Sequence, residues 1–439
     1  MMGMGLRMVT DVLVQKYGGS SLSTLDRVRG VARRVAAAHT GGRPTVVVVS
    51  ARGDTTDALI GEAAALGTAP DARELDQLLA TGECASAALL AIGLRGLGVP
   101  AVSLTGRQAG IRVAGRHGAG RIDEIDTTRL ERVLAGGSVA VVAGFQGTVG
   151  TYGADDVDDA DDVVTLGRGG SDTTAVALAA AIGARDCEIY TDVDGIYTAD
   201  PRIVPTARKI PFVRPDVMAE MAFAGARVLH SRSVELAAMA GVPVHVRASV
   251  GDQSGTIVAP RGSNPMLETT GAVVAVTHDT DVARVLVRSR GGTDLAAEVL
   301  DILARHCVPV DLVARSGPDE DEFRMGFTIR RSDVPEVRAA LEAAAGAHGG
   351  QVRVDTAVGK VSLIGMGLLN RPEYVARMAA ALARAGIATS WVSTSQLRAS
   401  VTVHEGNVAD SVVLLHREFG LEQTESAEPV ADLAMSAGS

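Results

Sequence analysis

The stretch that most limits what this chain can fold into is residues 161–202, DDVVTLGRGGSDTTAVALAAAIGARDCEIYTDVDGIYTADPR. Val163, Val164, Thr165 and Leu166 are β-branched or apolar and predict a buried strand. Gly167, Arg168, Gly169 and Gly170 cannot continue it, and glycines let a backbone come close to a ligand. Ser171, Asp172 and Thr173 offer N-cap chemistry to an Ala-rich helix over 175–182, which Gly183 stops. Strand, glycine loop and helix start together make an anion site from free backbone N–H groups and the helix dipole. Arg168 adds a planar fork suited to a carboxylate or a phosphate. Many strand-to-helix turns carry glycines and bind nothing, so the flanks matter. A second strand over 187–191 ends in Asp192-Val193-Asp194-Gly195, the expected second wall of a cleft, with Tyr197 and Arg202 in reach of a nucleotide.

The start of the chain repeats the theme. A short strand over 11–15 leads into Lys16-Tyr17-Gly18-Gly19-Ser20-Ser21 and a basic amphipathic helix over 25–38. A lysine there acts as a point charge on phosphates, although the spacing is not that of a P-loop. Residues 45–49, TVVVV, predict a central parallel strand. Ser50-Ala51-Arg52-Gly53-Asp54-Thr55-Thr56-Asp57 follows at its C-terminal end, where open α/β sheets bind ligands. Its hydroxyls suit a small polar substrate, and a plain helix cap by Thr56 or Asp57 explains them equally well. A long helix over 78–94 carries Thr81-Gly82-Glu83. Glu83 is either a solvated residue or a buried partner for a cation. Further strands are expected at 101–104, 111–113 and 139–143, and the isolated His117 reads as structural.

At 439 residues the chain holds two or three domains, with an aliphatic core (46% hydrophobic, 3% aromatic). A net charge of −10 argues against a nucleic-acid partner and requires local positive loops for any anionic substrate. Cys84, Cys187 and Cys307 are odd in number and far apart, which argues against a disulfide framework or zinc cluster and suits a reducing cytoplasm. No apolar run is expected to approach the ~18 residues of a membrane span. Residues 1–10, with Met1, Met2, Met4 and Met8 as alternative starts, read as a flexible N-terminus. The acidic stretch 150–162, GTYGADDVDDADD, lacks the ligand spacing of an EF-hand and reads as a solvated hairpin tip. A helix after Pro211 extends to 229, a strand covers 242–246, an edge pairing covers 255–258, and 261–270 is a linker.

The last third changes rhythm. Strand 283–288, helix 293–305, strands 310–314 and 323–329, helix 334–345 and strand 352–355 form a βαββαβ unit. The pattern recurs over 360–419 without its last strand, which 271–277 would supply. The first module (283–357) is therefore expected as an insertion in the second (271–282 plus 358–421), after a catalytic domain over 11–260 and before a disordered tail over 422–439.

KYGGSS at 16–21, SARGDTTD at 50–57, LATGE at 79–83, LGRGGSDTTAVALAAAIGA at 166–184, EIYTDVDGIYTADPRIVP at 188–205 and VSTSQLRASV at 392–401 together resemble the aspartate kinase family, over nearly the whole chain. The resemblance implies a three-layer amino-acid-kinase α/β sandwich with a mainly parallel central sheet, followed by two ferredoxin-like ACT modules. It implies transfer of phosphate from MgATP, hence ATP and Mg²⁺, to the side-chain carboxylate of L-aspartate, the first step toward lysine, threonine, methionine and diaminopimelate. By the same resemblance Lys16, Tyr17, Gly18, Gly19 and Ser50 hold the phosphates and Asp172 positions Lys16. Arg168, with Gly169 and Gly170, grips the substrate α-carboxylate, Thr56 and Ser171 help hold it, and Glu83 pairs with its ammonium. Thr191, Asp192, Tyr197 and Arg202 line the nucleotide site, together with Lys209.

The sequence departs from the family at its regulatory turns. Arg290-Gly291-Gly292-Thr293 lacks a proline, Arg371-Pro372-Glu373-Tyr374 has Glu373 where a glycine is expected, and Trp391 replaces a smaller residue. Weak or absent inhibition by lysine and threonine is the expectation, together with homo-oligomerisation through the ACT modules. The rival readings are an amino-acid kinase of a different carboxylate and an amino-acid sensor with a decayed kinase domain. The intact Lys16, Glu83, Arg168 and Asp172 argue against decay.

Overall fold

A computed structural model describes residues 11–67, 70–149, 162–260, 273–289, 295–316 and 323–422. Residues 1–10, all but Asp162 of the acidic stretch 150–162, the linker 261–270, the turn 290–293 and all but Glu422 of the tail lie outside the described residues. The chain divides into two compact units. The first comprises Met1–Ile196, Lys209–Phe223 and Arg227–Met266, the second Tyr197–Arg208, Ala224–Ala226 and Leu267–Ser439.

The first unit begins β1 (Leu13–Tyr17), α1 (Gly19–Leu22), α2 (Leu25–Thr40), β2 (Thr45–Val49), α3 (Thr55–Leu66), α4 (Ala72–Gly96) and β3 (Ala101–Leu104). A hairpin of β4 (Ile111–Ala114) and β5 (Arg121–Ile125) follows, then α5 (Thr128–Ala135), β6 (Val139–Ala143), β7 (Gln146–Val149), β8 (Val163–Thr165), α6 (Gly170–Ala181) and β9 (Asp186–Thr191). Short strands β10 (Ile196–Tyr197), β11 (Lys209–Ile210) and β12 (Phe212–Val213) lead to α7 (Pro215–Phe223), α8 (Ser231–Ala240), β13 (Val244–Ala248) and β14 (Thr256–Val258).

The main sheet runs β12-β14-β13-β9-β1-β2-β6-β3, with β1, β2, β3, β6, β9 and β13 joined by parallel pairings. This is the mainly parallel α/β sheet expected. All five residues of β2 are buried, as a strand covered on both faces requires. One face carries Tyr17, Val47, Val49, Val139, Val141 and Tyr190, packed under α2 and α4. The other face lies against α6. Alternation along β1 therefore sends Tyr17 and Gln15 to the α2 side and Lys16 to the α6 side.

Several local expectations change. Helix α6 starts at Gly170, with Gly169 at φ 69° as its N-cap, so Ser171 and Asp172 sit in the first turn rather than capping it. Strand β14 is interior, and the edge is β12, because Phe212 and Val213 pair with Ile257 and Val258. Helix α7 spans only nine residues, since strand geometry occupies the start of the segment. Helix α4 begins at Ala72, where Asp71 accepts hydrogen bonds from the Arg73 and Glu74 amides. At 25 residues α4 is long and apolar enough by composition to cross a membrane, contrary to expectation. Its apolar side instead packs Ala87, Leu90, Ala91 and Leu94 into the core, and it buries Asp76 and Glu83.

The second unit contains β15 (Val273–Ser289), α9 (Leu295–Arg305), β16 (Asp311–Ser316), β17 (Phe323–Ile329), α10 (Val334–Ala347), β18 (Gln351–Gly365), α11 (Pro372–Arg384), β19 (Thr389–Thr394), β20 (Arg398–His404) and α12 (Val408–Glu418). One six-stranded antiparallel sheet, β16-β17-β15-β18-β20-β19, serves two cores. Ala283, Val285 and Val287 fill the first core, and Val276, Val361 and Leu363 the second. What the sequence suggests as four strands is two long ones. No glycine or proline interrupts His278-Asp279-Thr280-Asp281-Val282, and the join is marked only by register shifts between Asp279 and Arg284. Asp311 ties β16 to β18 and β20, strands it does not pair with, accepting from Lys360 at 2.9 Å and from Arg398 at 2.7 Å. The segment Tyr197–Arg208 is built into the second core through Ala199 and Val204, and Thr198 Oγ1 meets His416 Nε2 at 2.9 Å.

Candidate active site

Chain segments leaving the C-terminal ends of β1, β2 and β6 converge on the start of α6. The Ser50 amide donates to the Tyr17 carbonyl at 3.1 Å, the Gly53 amide to Gly19 at 3.0 Å, and the Gly144 amide to Val49 at 3.0 Å. Lys16 Nζ reaches across to Asp172 Oδ1 at 2.7 Å, and both side chains are only 12% exposed. The ammonium also lies 3.4 Å from where a Cβ on Gly18 would stand, so it hangs over the glycine turn. Asp172 belongs to the first turn of α6, and the Lys16 charge is thereby held at that helix's N-terminal end.

Glu83 is 3% exposed and accepts the Ala51 amide on Oε1 at 2.9 Å. Its Oε2 is buried with no hydrogen-bond partner among the described residues. Burial pushes its carboxyl up to about 7, offset only in part by the Ala51 amide and the Lys16 charge. Gly82 explains how the helix comes so near: a Cβ there would stand 2.8 Å from the Ala51 Cβ. Glu83 is therefore a buried acceptor beside a cation rather than a solvated residue, while Thr81 is exposed.

Arg168 stands at the tip of the second glycine turn, exposed and without an ion pair to any described residue. Gly169 next to it has φ 69°, and a Cβ on it would sit 2.2 Å from the His230 ring, so only glycine fits. Ser171 is buried one residue beyond the turn, and Phe145, at φ 70°, donates its amide to Thr174 Oγ1 beside it. A positive φ on a bulky residue is the kind of backbone strain that clusters at functional sites.

The other predicted residues fall as follows. Thr56 lies half-exposed in the first turn of α3, whose cap is Asp54, so neither Thr56 nor Asp57 is the cap. Tyr17 is fully buried on the opposite sheet face, stacked on Tyr190 at 4.7 Å, so only its backbone faces the loops. Thr191 Oγ1 donates to Asp192 Oδ1 at the end of β9. Lys209 pairs with Asp194 at 3.3 Å. Tyr197 and Arg202 belong to the second unit, where Arg202 pairs with Asp200 at 2.7 Å.

Sequence reasoning missed Asp76. It is 1% exposed and accepts four hydrogen bonds: from Thr165 Oγ1 at 2.5 Å, from the Thr165 and Gly118 amides at 3.0 Å each, and from His117 Nδ1 at 2.9 Å. Thr165 ends the strand that feeds the Arg168 turn. Arg232 holds the next residue, donating to the Leu166 carbonyl at 3.0 Å and to Gly120 at 2.9 Å. The one sequence signal was spacing, since Asp76 precedes Glu83 by two helical turns and shares its face. His117 is thereby structural, as expected.

Among the described residues no three His, Cys, Asp or Glu side chains converge as a metal-ligand set. The site instead offers one fixed ammonium, one free guanidinium, one buried carboxylate and two glycine turns. That combination suits a pair of anions, one of which also carries a cationic group.

Comparison with known proteins gives the same direction. Residues 11–248 match the amino acid kinase family, and residues 361–419 match an ACT domain. An aspartokinase of Geobacillus stearothermophilus is 41% identical over 417 residues, covering 95% of this chain and 99% of the relative. An aspartokinase of Mycolicibacterium smegmatis is 44% identical over 423 residues, covering 95% and 98%. The fold is similar to the crystal structure of E. coli aspartokinase III in complex with aspartate and ADP, with a TM-score of 0.76 at 24% identity over 93% of this chain and 99% of that one.

Proposed function

The chain belongs to the aspartokinases of the amino acid kinase family, and we propose from its geometry how it phosphorylates the side-chain carboxylate of L-aspartate with ATP. An aspartate side chain has a pKa near ~3.9 and is ionised at neutral pH, so the nucleophile needs no base. The obstacle is repulsion between a carboxylate and a polyanion. The chain's contribution is therefore alignment and charge neutralisation.

Lys16, fixed by Asp172, neutralises the transferring phosphate, with the Gly18 and Gly19 amides and Ser50 beside it. Arg168 takes the α-carboxylate of aspartate, and Thr56, Gly169, Gly170 and Ser171 shape the same pocket. The open Oε2 of Glu83 accepts from the ammonium. Thr191 and Asp192, at the end of β9, contact the nucleotide. Magnesium belongs to the substrate as the counter-ion of the ATP phosphates and supplies further charge neutralisation there. The observation that carries this reading is the 2.7 Å Lys16–Asp172 pair, which holds a buried ammonium over a glycine turn. The test is incubation with ATP, Mg²⁺, hydroxylamine and a panel of amino acids. Aspartyl hydroxamate with aspartate alone is expected; signal only with glutamate or acetylglutamate, or none at all, contradicts it.

The ACT modules carry a reduced response to lysine and threonine. Glu373 sits exposed in the first turn of α11, where its charge opposes an effector carboxylate. The Trp391 ring stands 2.8 Å from where a Cβ on Gly326 would be, with the Arg284 guanidinium 5.4 Å from the ring centre, so it fills space a ligand would need. Activity is expected to be unchanged by low-millimolar lysine plus threonine. Inhibition that substitutions in residues 273–421 abolish overturns this reading. The edge strands β16 and β19 support homo-oligomerisation through these modules.

A further inference from the structure

A second binding site lies on the opposite face of the sheet from Lys16 and Asp172. A cleft of about 560 Å³ opens there beside α2, over β1, β9 and β13. Its size falls within the range of small-molecule sites. Four arginines line it, Arg33 and Arg34 from α2, Arg43 before β2 and Arg247 from β13, against two carboxylates, Glu188 and Asp252. In a chain of net charge −10 this concentration of positive charge runs against the general field.

Asp11 and Asp186 at the rim bring the local carboxylates to four, so what matters is which guanidiniums stay open. Glu188 is engaged in the floor, accepting from Gln15 Nε2 at 2.8 Å, the Tyr190 hydroxyl at 2.9 Å and Arg247 Nη1 at 3.1 Å. Asp252 is 97% exposed and 3.7 Å from Arg34, a solvent-screened pairing. Arg43 shares Asp11 and Asp186 at the rim. Arg33 is exposed and makes no ion pair with a described residue. Two of the guanidiniums are also pre-oriented: Arg34 lies 5.1 Å and Arg247 5.9 Å from the centre of the Tyr190 ring. Arg34 spends Nη2 on the Gly251 carbonyl at 2.8 Å and Arg247 spends Nη1 on Glu188, and each keeps its remaining N–H groups for an oxyanion. The helix wall is cut back at Gly30, Ala37 and Ala38, which leaves the depth for more than an ion.

We propose that this cleft binds a small phosphate-bearing molecule, with its phosphate on Arg33 and Arg34. The neighbouring residues Gln15, in the floor, and Lys16, on the other face, put the two sites back to back on one strand.

The test is calorimetric titration of the full-length chain, its nucleotide site saturated with MgADP, using inorganic pyrophosphate in one arm and ribose 5-phosphate in the other. One site is expected for at least one probe, and the tighter probe tells an inorganic from an organic ligand. The double variant Arg33→Ser/Arg34→Ser is expected to weaken it at least ten-fold. Gly30→Leu is the second variant: a Cβ at Gly30 meets no atom within 4 Å, so the leucine extends into the cleft beside Arg33 and Arg34, one turn on along the same helix face, removes no charge, and should weaken binding as much. Both variants should keep the wild-type turnover of aspartate. Absence of binding for both probes, or binding that neither variant changes, overturns the proposal. Because the readout is binding, it fails separately from the kinase reading.

Discussion

The two glycine turns of the first unit hold their cations in opposite ways. Lys16 is 12% exposed and clamped by Asp172 at 2.7 Å, with its ammonium over Gly18. Arg168 is exposed and makes no ion pair with a described residue. A charge that must meet a developing anion benefits from being fixed beforehand, because no reorganisation is left for the reactive step. A charge that recognises an incoming substrate can be left mobile, at a cost in ordering when the substrate binds. The difference supports the roles proposed for them, transition-state stabilisation for the first turn and acceptor binding for the second.

Four substitutions break or sharpen this contrast. Lys16→Ala should lower kcat by roughly 10²–10³, the loss of one preorganised donor, with little change in the aspartate KM. Near-full turnover would remove the role given to Lys16. Arg168→Ala should instead raise the aspartate KM by roughly 10–150-fold, the equivalent of about 1.5–3 kcal/mol for hydrogen bonds to a charged group, and leave the ATP KM unchanged. Initial-rate kinetics in both substrates separate the two patterns.

Glu83 gives the third. With its carboxyl pushed up to about 7, the free enzyme should lose kcat/KM for aspartate as pH falls below about 7, because the protonated acid no longer pairs with the substrate ammonium. Glu83→Gln should flatten that acid limb at a uniformly low value. The same shift has a sign for stability. At Glu83 the folded state holds a proton that the unfolded state has lost between the ordinary carboxylate range and about pH 7, so this group's contribution to the stability of the ligand-free fold falls as pH rises through that window. Glu83→Gln should therefore melt above the wild type at pH 8, even as its activity falls. The smallest effect is expected from Asp76→Asn, about five-fold in the aspartate KM, the worth of one ordinary hydrogen bond at the strand that feeds the Arg168 turn. A lowered melting temperature with both KM values unchanged would make Asp76 structural only.

What was legible in the sequence was local. TVVVV at 45–49 is a buried parallel strand because nothing else suits five β-branched or apolar residues in a row. The glycines around Arg168 mark a turn because no strand or helix tolerates them together. What was not legible depended on distance or on rotation about the chain. Asp76 and Thr165 are 89 residues apart, and no spacing rule links them. Tyr17 sits next to Lys16 in the sequence, yet strand alternation sends its ring to the core and to Tyr190. The start of α6 moved to Gly170 because the left-handed Gly169 does the capping that Ser171 and Asp172 were expected to do. The long strands β15 and β18 read as four because the polar run 278–281 in β15 and Gly359 in β18 look like loops until two cores are seen to share one sheet.

The most direct test is a crystal structure of the full-length protein with MgADP and L-aspartate bound. The account predicts a nucleotide phosphate on Lys16 Nζ and the Gly18–Gly19 turn, the α-carboxylate of aspartate on Arg168, and its ammonium on Glu83 Oε2. Either ligand lying away from both turns would contradict it.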